Sequence, residues 1–597
     1  MRHFKSVWRK PGVSSGPEVI LESFADGNSR SWAFSGLVEE ITAMAAAEVI
    51  PALQRLESWT ENGYHAAGFV SYEASTGLEN NLATHPPGNC PLLWFGIFRE
   101  RRAVRDSLSS GPTDHPGYAI TECELSLSPP DYCEAVDRVR EYIASGDTYQ
   151  VNFTLRQRFG FSGCEKAFYR DLCRSQRAPY CAFLDLGRYC ILSASPELFF
   201  HLKDGTLTTR PMKGTAKRGR WTGEDEEILQ KFRTNEKERA ENLMIVDLLR
   251  NDMGIVSQTG SVQVASLFDV ETLETVHQMT STISSRLIPG TGVVDLFRAL
   301  FPCGSVTGAP KRRTMEIIAE LEDSPRSIYT GCIGHISPGP EAAFSVAIRT
   351  IFIDRAGGTG EMGLGSGITW DSDPRSEYQE CLTKGRFARI KVPEFRLLES
   401  ILFEEGAGWF LLERHMRRLS RSADYFGFTL DLSGARDALH DLSLSLRGSH
   451  KVRLLLCRDG SIGITSEPIP EVSEGGVVTV AFAETRVDSE NVFLYHKTDN
   501  RAFYIAELAV RSDCADVIFL NERGEVTEGA NNNIVARIGG ELVTPPILSG
   551  LLPGTFREEL LDSGMIMERK INREELEKAE ELYLINSVRR WRKAVIP

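Results

Sequence analysis

Glu377, Glu380 and Lys384 are spaced three and four residues apart, so on a helix they share one face. Opposite charges at that spacing on a helix attract one another. A solvated salt-bridge face is the commoner use of such spacing. Just upstream, Gly363-Leu-Gly-Ser-Gly367 is small and rich in backbone amides. It could approach an anion closely, or simply form a tight turn. A second acidic helix carries Glu241 just before the apolar run Leu243 to Val246. A carboxylate at the edge of a buried stripe needs a hard cation or a basic side chain as partner. Lys213 lies in Arg210-Pro-Met-Lys-Gly-Thr215, read as a constrained turn. Partly desolvated, such a lysine is a nucleophile; exposed, it is an ordinary surface charge.

The last third of the chain has its own candidates. Glu413-Arg-His-Met-Arg-Arg-Leu419 is a basic amphipathic stretch, and Tyr495-His-Lys-Thr-Asp-Asn-Arg501 sets a lysine among aromatic and polar residues. Each is unremarkable alone. Thr527-Glu-Gly-Ala-Asn-Asn-Asn-Ile534 places three asparagines after Glu528, which suits a polar pocket better than a strand ladder. Leu551-Leu-Pro-Gly-Thr-Phe-Arg557 reads as a glycine turn opening a helix, where amides can hold a phosphate.

The elements that must carry these residues are legible in outline. Asp373 and Pro374 form an N-cap and first helical position ahead of Glu377. Leu412, Leu419, Ala423 and Phe426 make a helical stripe that stops at Gly427. Val452 to Leu456 and Val517 to Leu520 read as strands, the second ending in the hairpin-type turn Asn521-Glu-Arg-Gly524. Arg101 to Pro116 has the composition of a surface loop. The pattern changes near Lys391-Val-Pro-Glu394, so a boundary is expected at about 392, giving domains 1–391 and 392–597, each large enough for its own core. Helical stripes and strand runs thus occur together.

Composition narrows the function classes. The 597 residues carry 68 basic and 82 acidic side chains, a net charge of −14, with no long basic run, which disfavours nucleic acid and membrane surfaces as partners. Hydrophobic content of 42% and charged content of 25% are those of a globular chain. No apolar run approaches a membrane span, and the basic start MRHFKSVWRKPG lacks a signal peptide's apolar core, so a cytoplasmic location is expected. The closest of the 12 cysteines, Cys173 and Cys181, are too far apart for a CxxC or zinc-ligand motif.

Taken together, Pro211-Met-Lys-Gly-Thr215, Arg239 to Asp252, Phe301-Pro-Cys-Gly-Ser-Val-Thr-Gly-Ala-Pro-Lys311, Tyr329-Thr-Gly331 and Gly365-Ser-Gly-Ile368 with Glu377-Tyr-Gln-Glu380 resemble the chorismate-utilising enzymes over roughly residues 65–390. Pro-Met-Lys-Gly-Thr, where anthranilate synthases typically read Pro-Ile-Ala-Gly-Thr, is similar to aminodeoxychorismate synthase component I. The resemblance implies that Lys213 is the nucleophile toward chorismate, and that Glu197 in Ser193-Ala-Ser-Pro-Glu197 is the general acid for the leaving hydroxyl. It further implies that Glu241 and Glu380, with Glu377 through water, hold Mg2+. Arg349 and Lys384 would hold substrate carboxylates, and Gly365, Ser366, Gly367 and Thr307 would line the substrate. Gln278 stands where relatives often carry histidine, leaving His277 open between a structural and a catalytic role. No cysteine has a glutamine amidotransferase context, so ammonia is expected from a separate amidotransferase subunit.

Residues from about 395 onward resemble fold-type IV pyridoxal 5'-phosphate (PLP) enzymes, the aminodeoxychorismate lyases among them. This implies that Lys497 links to PLP, that Glu528 pairs with the pyridine nitrogen, and that Arg418 and Thr555 hold the phosphate. Relatives commonly dimerise through this unit. The two resemblances together imply an α+β class, an antiparallel sheet covered by helices followed by a smaller α/β unit. They also imply a bifunctional enzyme that takes chorismate to 4-aminobenzoate, the folate precursor. A PLP half of other aminotransferase specificity, or one half degenerate and serving assembly, are the alternatives.

Overall fold

The computed structural model describes residues 17–24, 31–104, 116–389, 391–469 and 476–597. The basic start and residues 105–115 of the expected loop lie outside the described residues; residues 101–104 of that loop instead finish the strand Leu93–Val104. The chain divides into two units, one of Met1–Lys217 with Gln230–Val392, the other of Arg218–Leu229 with Pro393–Pro597. A single cut at 392 would leave Arg218–Leu229 with the first unit. That segment instead packs within the second, where Arg218 and Asp225 form a buried ion pair and Tyr425 donates a hydrogen bond to the Gly219 carbonyl at 2.7 Å.

The first unit joins its strands into an 18-stranded hydrogen-bonded network. The pairs that frame the candidate site run antiparallel. Gln150–Gly163 pairs with Thr359–Ile368 through ten register positions, from Gly160 opposite Thr359 to Val151 opposite Ile368. The segment Gly363–Gly367 is therefore strand interior, not the flexible turn its composition suggested. Its glycines are there for close approach. A Cβ at Gly363 would stand 2.0 Å from the Tyr329 ring, and one at Gly367 2.3 Å from Gln150 Nε2.

Lys213 departs from expectation in the same way. It lies on the strand Met212–Lys217, paired antiparallel with Val276–Arg286. The Pro/Gly constraint shows up as a bulge: the register shifts between Met212 and Thr215, and Gly214 has φ +90. The bulge re-aims the lysine without ending the strand.

The helix Glu236–Val256 starts where Asn235 Oδ1 accepts from the Lys237 and Glu238 amides at 3.0 and 3.3 Å. It buries Ile245, Val246, Leu249, Met253 and Val256 in a core shared with Phe297 and Phe344. The helix Pro374–Gly385 has its expected cap, with Ser376 N donating to Asp373 Oδ1 at 2.8 Å.

In the second unit, a four-stranded antiparallel sheet is led by Leu397–Glu404 and covered by the helix Leu412–Phe426, which ends at Gly427 with φ +64. An eight-stranded mixed sheet follows. In it Val478–Phe482 runs parallel to both Asp516–Leu520 and Arg590–Val595. The expected Asn521–Gly524 turn joins Asp516–Leu520 to Val526–Gly529, and Asn521 Oδ1 accepts from the Arg523 and Glu525 amides. Leu398 N donates to the Lys497 carbonyl at 2.9 Å and Asp499 N to the Arg396 carbonyl at 3.0 Å, which ties the lysine's turn to the first strand of this unit. No helix among the described residues is long and apolar enough to cross a membrane.

Candidate active sites

In the first unit, Lys213, Glu197, Gly367 and Glu241 are brought together. A Cβ on Gly367 would stand 3.2 Å from Lys213 Nζ, so the bare glycine leaves the amine its room. Burial pushes the Lys213 pKa down, while the nearby Glu241 and Glu197 carboxylates push it back up. Glu197 follows the buried strand Tyr189–Ser195, and its backbone is held by the Ser195 hydroxyl and the Val346 amide. Burial raises its pKa to about 7, against smaller opposing effects of Ser305, Lys213 and the Met212 amide. Its Oε1 is buried without a hydrogen-bond partner. A carboxyl group poised there can deliver a proton near neutral pH.

Gln150 was not singled out from the sequence. Both polar atoms of its buried amide lack partners, and its Nε2 faces Gly367. Buried amides in folded proteins are nearly always satisfied, so two orphaned atoms on a side chain beside Gly367 suit a polar ligand there. Its residue type gave no signal, because glutamine next to an apolar strand is common.

Arg349, with φ +50, donates from Nη1 to Gln176 Oε1 at 2.7 Å. Burial lowers its pKa to about 10, so it stays charged at neutral pH, and no carboxylate pairs with it among the described residues. It is available to an anion. Lys384 is placed differently: it donates to the Gly365 carbonyl at 3.0 Å and pairs with Glu380 at 2.6 Å. Ser366 accepts or donates a hydrogen bond with Tyr132 at 3.0 Å. Thr307 is buried, and its hydroxyl donates to the Cys303 and Gly304 carbonyls at 3.2 and 3.3 Å, so it braces its own turn. His277 is buried on the strand beside Lys213, its Nδ1 at 3.0 Å from the Thr272 hydroxyl.

The acidic side chains form a neighbourhood whose members feel one another. Glu241 has its pKa raised by burial and by Glu377 and Glu380, with Lys213 and Lys237 opposing. Glu238, one helical turn before Glu241, also belongs: a Cβ at Gly214 would stand 2.7 Å from its Oε2, and burial and Glu241 raise its pKa. The three-residue spacing of Glu238 and Glu241 was the signal that could have found it. Among the described residues no three acidic, histidine or cysteine side chains converge at metal-holding distances. Glu377 accepts from Ser372 at 2.7 Å and Glu380 is paired with Lys384. Mg2+ commonly takes only one or two protein carboxylates and completes its shell with water and substrate. The oxygen-only donor set fits such an ion.

The buried Glu197 carboxyl has a stability consequence. With its pKa raised from 4.5 to about 7, the folded state holds this proton more tightly than the unfolded chain. Stability from this group is present below pH ~4.5 and is lost as pH rises toward ~7, where the penalty reaches about 3 kcal/mol. Glu197→Gln is therefore expected to unfold at a higher temperature than the parent at pH 8, with the difference shrinking toward pH 4. Thermal melts across that range check this. A constant difference would contradict it.

In the second unit a cavity of about 330 Å3 is lined by Lys497, Glu528, Arg418, Thr555, Asn533 and Arg501, among others. Burial pushes the Lys497 pKa down to about 7, helped by Arg418 and Arg501 and opposed by Glu399 and Glu528. Burial raises Glu528 to about 7, while the Tyr504 hydroxyl at 3.0 Å and the Leu552 amide at 3.1 Å donate to it. A buried carboxylate with only neutral donors in contact is suited to a cationic partner, and a pyridinium nitrogen is one.

Arg418 donates to both carboxylate oxygens of Glu399 at 2.9 and 2.6 Å, and to the Pro553 carbonyl at 3.2 Å. Five guanidinium N–H groups leave two donors for the cavity. His415 bridges Glu399 and the Thr555 hydroxyl at 2.7 and 3.2 Å. Burial would raise the Glu399 pKa, but Arg418 and His415 outweigh it and hold the carboxyl down at about 2. Glu399 and Tyr504 were not read as site residues. Glu399 lies within a mostly apolar strand, and Tyr504 acts through Glu528, 24 residues further on. The site fits PLP in having a lysine, a carboxylate and an arginine around one cavity.

These features define a two-part chain: a chorismate-type α+β domain with a buried lysine and acidic helices, then a smaller domain with a lysine-lined cavity. The chain belongs to the chorismate binding enzyme family, whose model matches residues 13–389, and it carries an amino-transferase class IV domain over residues 396–595. Aminodeoxychorismate synthase component 1 of Bacillus subtilis is 42% identical over 253 residues, 42% of this chain and 53% of that one. The Escherichia coli K12 protein of the same name is 40% identical over 304 residues, 51% of this chain and 66% of that one. Thus the chain spans about half the length of the Bacillus subtilis relative. Anthranilate synthase component 1 of Methanothermobacter thermautotrophicus is 35% identical over 339 residues, 53% of this chain and 72% of that one. Among solved structures, anthranilate synthase component I of Streptococcus pneumoniae matches at TM-score 0.50 and 26% identity, covering 65% of this chain and 95% of that one. The menaquinone-specific isochorismate synthase of Escherichia coli, at TM-score 0.51 and 17% identity over 65% of this chain and 91% of that one, shares the fold.

Proposed function

We propose that the chain converts chorismate to 4-aminobenzoate in two reactions, one in each unit. The observation that carries this reading is a repeated pairing. Each unit sets a lysine whose ammonium is disfavoured by burial near a buried carboxyl raised to about 7, Lys213 with Glu197 and Lys497 with Glu528.

In the first unit, the Lys213 amine attacks C2 of chorismate and the C4 hydroxyl leaves as water, with Glu197 giving the proton. Ammonia then adds at C4 and the lysine leaves C2, yielding 4-amino-4-deoxychorismate. Arg349 holds a carboxylate of the substrate, and Gln150 offers its amide to a polar substrate group. Glu241 and Glu380, with Glu377 through water, would hold Mg2+, which when bound would neutralise the ring carboxylate and ease departure of the C4 oxygen.

In the second unit, Lys497 and Glu528 would hold PLP, with Arg418 and the start of the Thr555–Asp562 helix toward its phosphate. PLP supplies an electron sink when bound. Lys497, with a pKa near neutrality, takes the proton from C4 of the substrate, and the enolpyruvyl group leaves as pyruvate while the ring aromatises.

Ammonia is proposed to come from a separate glutamine amidotransferase chain, since no cysteine here has a nucleophile-elbow context. The component 1 in the relatives' names supports a second component. The reading also includes a cytoplasmic location and pairing of two copies through the PLP unit.

The deciding experiment supplies purified protein with chorismate, ammonia, Mg2+ and PLP, and identifies products chromatographically. The expected products are 4-aminobenzoate and pyruvate. Anthranilate would overturn the first step. Accumulation of 4-amino-4-deoxychorismate, with amino transfer to 2-oxo acids, would make the second unit an aminotransferase.

A further inference from the structure

The residues directly before Lys497 rest on a piece of chain from far upstream. Tyr495 packs on Trp221 with ring centroids 5.0 Å apart and the rings tilted by 33°, and its hydroxyl donates to the Ser489 carbonyl at 2.7 Å. The Ser489 carbonyl also receives Arg220 Nη1 at 3.3 Å. His496 lies on the Tyr425 ring at 4.4 Å and against Phe426 at 4.7 Å, with its Nδ1 at 3.0 Å from the Ser422 hydroxyl. Tyr425 in turn carries the Arg218 guanidinium over its ring at 4.2 Å and donates to the Gly219 carbonyl.

Arg218 is fixed by Asp225, to both of whose oxygens Nε donates at 2.9 and 2.8 Å, and by the Tyr425 carbonyl at 3.2 Å. Gly219 must be glycine, since a Cβ there would stand 2.2 Å from the Asp225 amide. Trp221 is part of the apolar cluster around Tyr495 and Phe519. The segment is thus built for its seat, with a planar cation on an aromatic ring and an indole on a second ring.

We infer that Arg218–Trp221 is a positioning strap for the PLP lysine, its Arg218 and Trp221 setting the place of Lys497 through Tyr425–His496 and Tyr495. The inference rests on the reading of Lys497 as the PLP residue. Neither strap residue lines the cavity, so each acts through the residues on which it packs. A site lysine needs supporting contacts that hold it to a fraction of an ångström. The strap also leaves the strand Met212–Lys217, which carries Lys213, after only one peptide bond. The residues that set the second lysine thus follow directly on those that carry the first.

The test uses the full-length chain with Trp221→Ala, Trp221→Phe and Arg218→Ala. Added PLP is titrated by absorbance and fluorescence, and the absorbance of bound PLP is followed against pH. Trp221→Ala and Arg218→Ala are expected to weaken PLP binding roughly tenfold and to move the midpoint of the pH titration, as loss of supporting groups does at other sites. Trp221→Phe, which keeps a ring on Tyr495, is expected to restore most of both. Altered melting with unchanged affinity and unchanged pH midpoint would make the strap merely structural and overturn the inference. Should Trp221→Ala not fold, Arg218→Ala and Trp221→Phe still decide it by the same two readouts. Failure of the parent protein to bind PLP would overturn the cofactor reading itself, and the strap with it.

Discussion

Lys213→Ala is expected to lower conversion of chorismate and ammonia to 4-amino-4-deoxychorismate by on the order of a thousandfold or more, the usual cost of removing a nucleophile. Supplied 4-amino-4-deoxychorismate should still be turned over at a rate within roughly twofold of the parent, since independent sites do not couple at a distance. The reason lies in what surrounds the amine. Burial disfavours the Lys213 ammonium, so a neutral, attacking amine is more accessible than on an exposed lysine. Its removal also takes a cation from beside Glu241 and Glu197, both of which Lys213 helps to keep ionised. Both carboxyl pKa values should therefore rise in the variant, and its residual activity should shift toward higher pH. Mass spectrometry of the products and separate assays of the two reactions check the result. Retention of amination within about tenfold would mean that ammonia adds to chorismate directly. Equal loss of both reactions would contradict two independent sites.

The second large effect is expected from Lys497→Ala. The long-wavelength absorbance of bound PLP should vanish, and 4-aminobenzoate formation should fall on the order of a thousandfold or more. Chorismate should still be consumed, so 4-amino-4-deoxychorismate should accumulate. The pKa of Lys497, near 7 through burial beside Arg418 and Arg501, sets the pH dependence in the parent. PLP capture needs the neutral amine, so its rate should rise through pH 7 and level off above it. Stopped-flow absorbance with the parent and the variant tests both statements. A lyase rate that survives the substitution would remove Lys497 from the mechanism.

Much of this chain is legible before it folds. The N-cap at Asp373, the helix ending at Gly427 and the hairpin at Asn521–Gly524 follow from local chemistry, which depends on neighbours a few residues away. The candidate lysines and carboxylates could likewise be named from their motifs. Two local readings did not carry over. Gly363–Gly367 and the Pro-Met-Lys-Gly stretch have the composition of turns, yet both are strands. Their glycines are there because Tyr329, Gln150 and Glu238 crowd them from distant parts of the chain.

Gln150, Glu238, Glu399 and Tyr504 emerged for the same reason. Gln150, Glu399 and Tyr504 carry no local signal and Glu238 only its spacing from Glu241, and each matters through a partner tens to hundreds of residues away. The membership of Arg218–Leu229 in the second unit is of this kind too. Nothing in Arg-Gly-Arg-Trp announces that it seats against Tyr425 and Tyr495. The sequence by itself determined the residue types, many of the local elements and the order of the two candidate lysines. Only the tertiary structure decided which carboxyl groups are buried and at which lysines burial disfavours the ammonium. Desolvation depends on everything that surrounds a side chain, and the chain assembles those surroundings from remote segments.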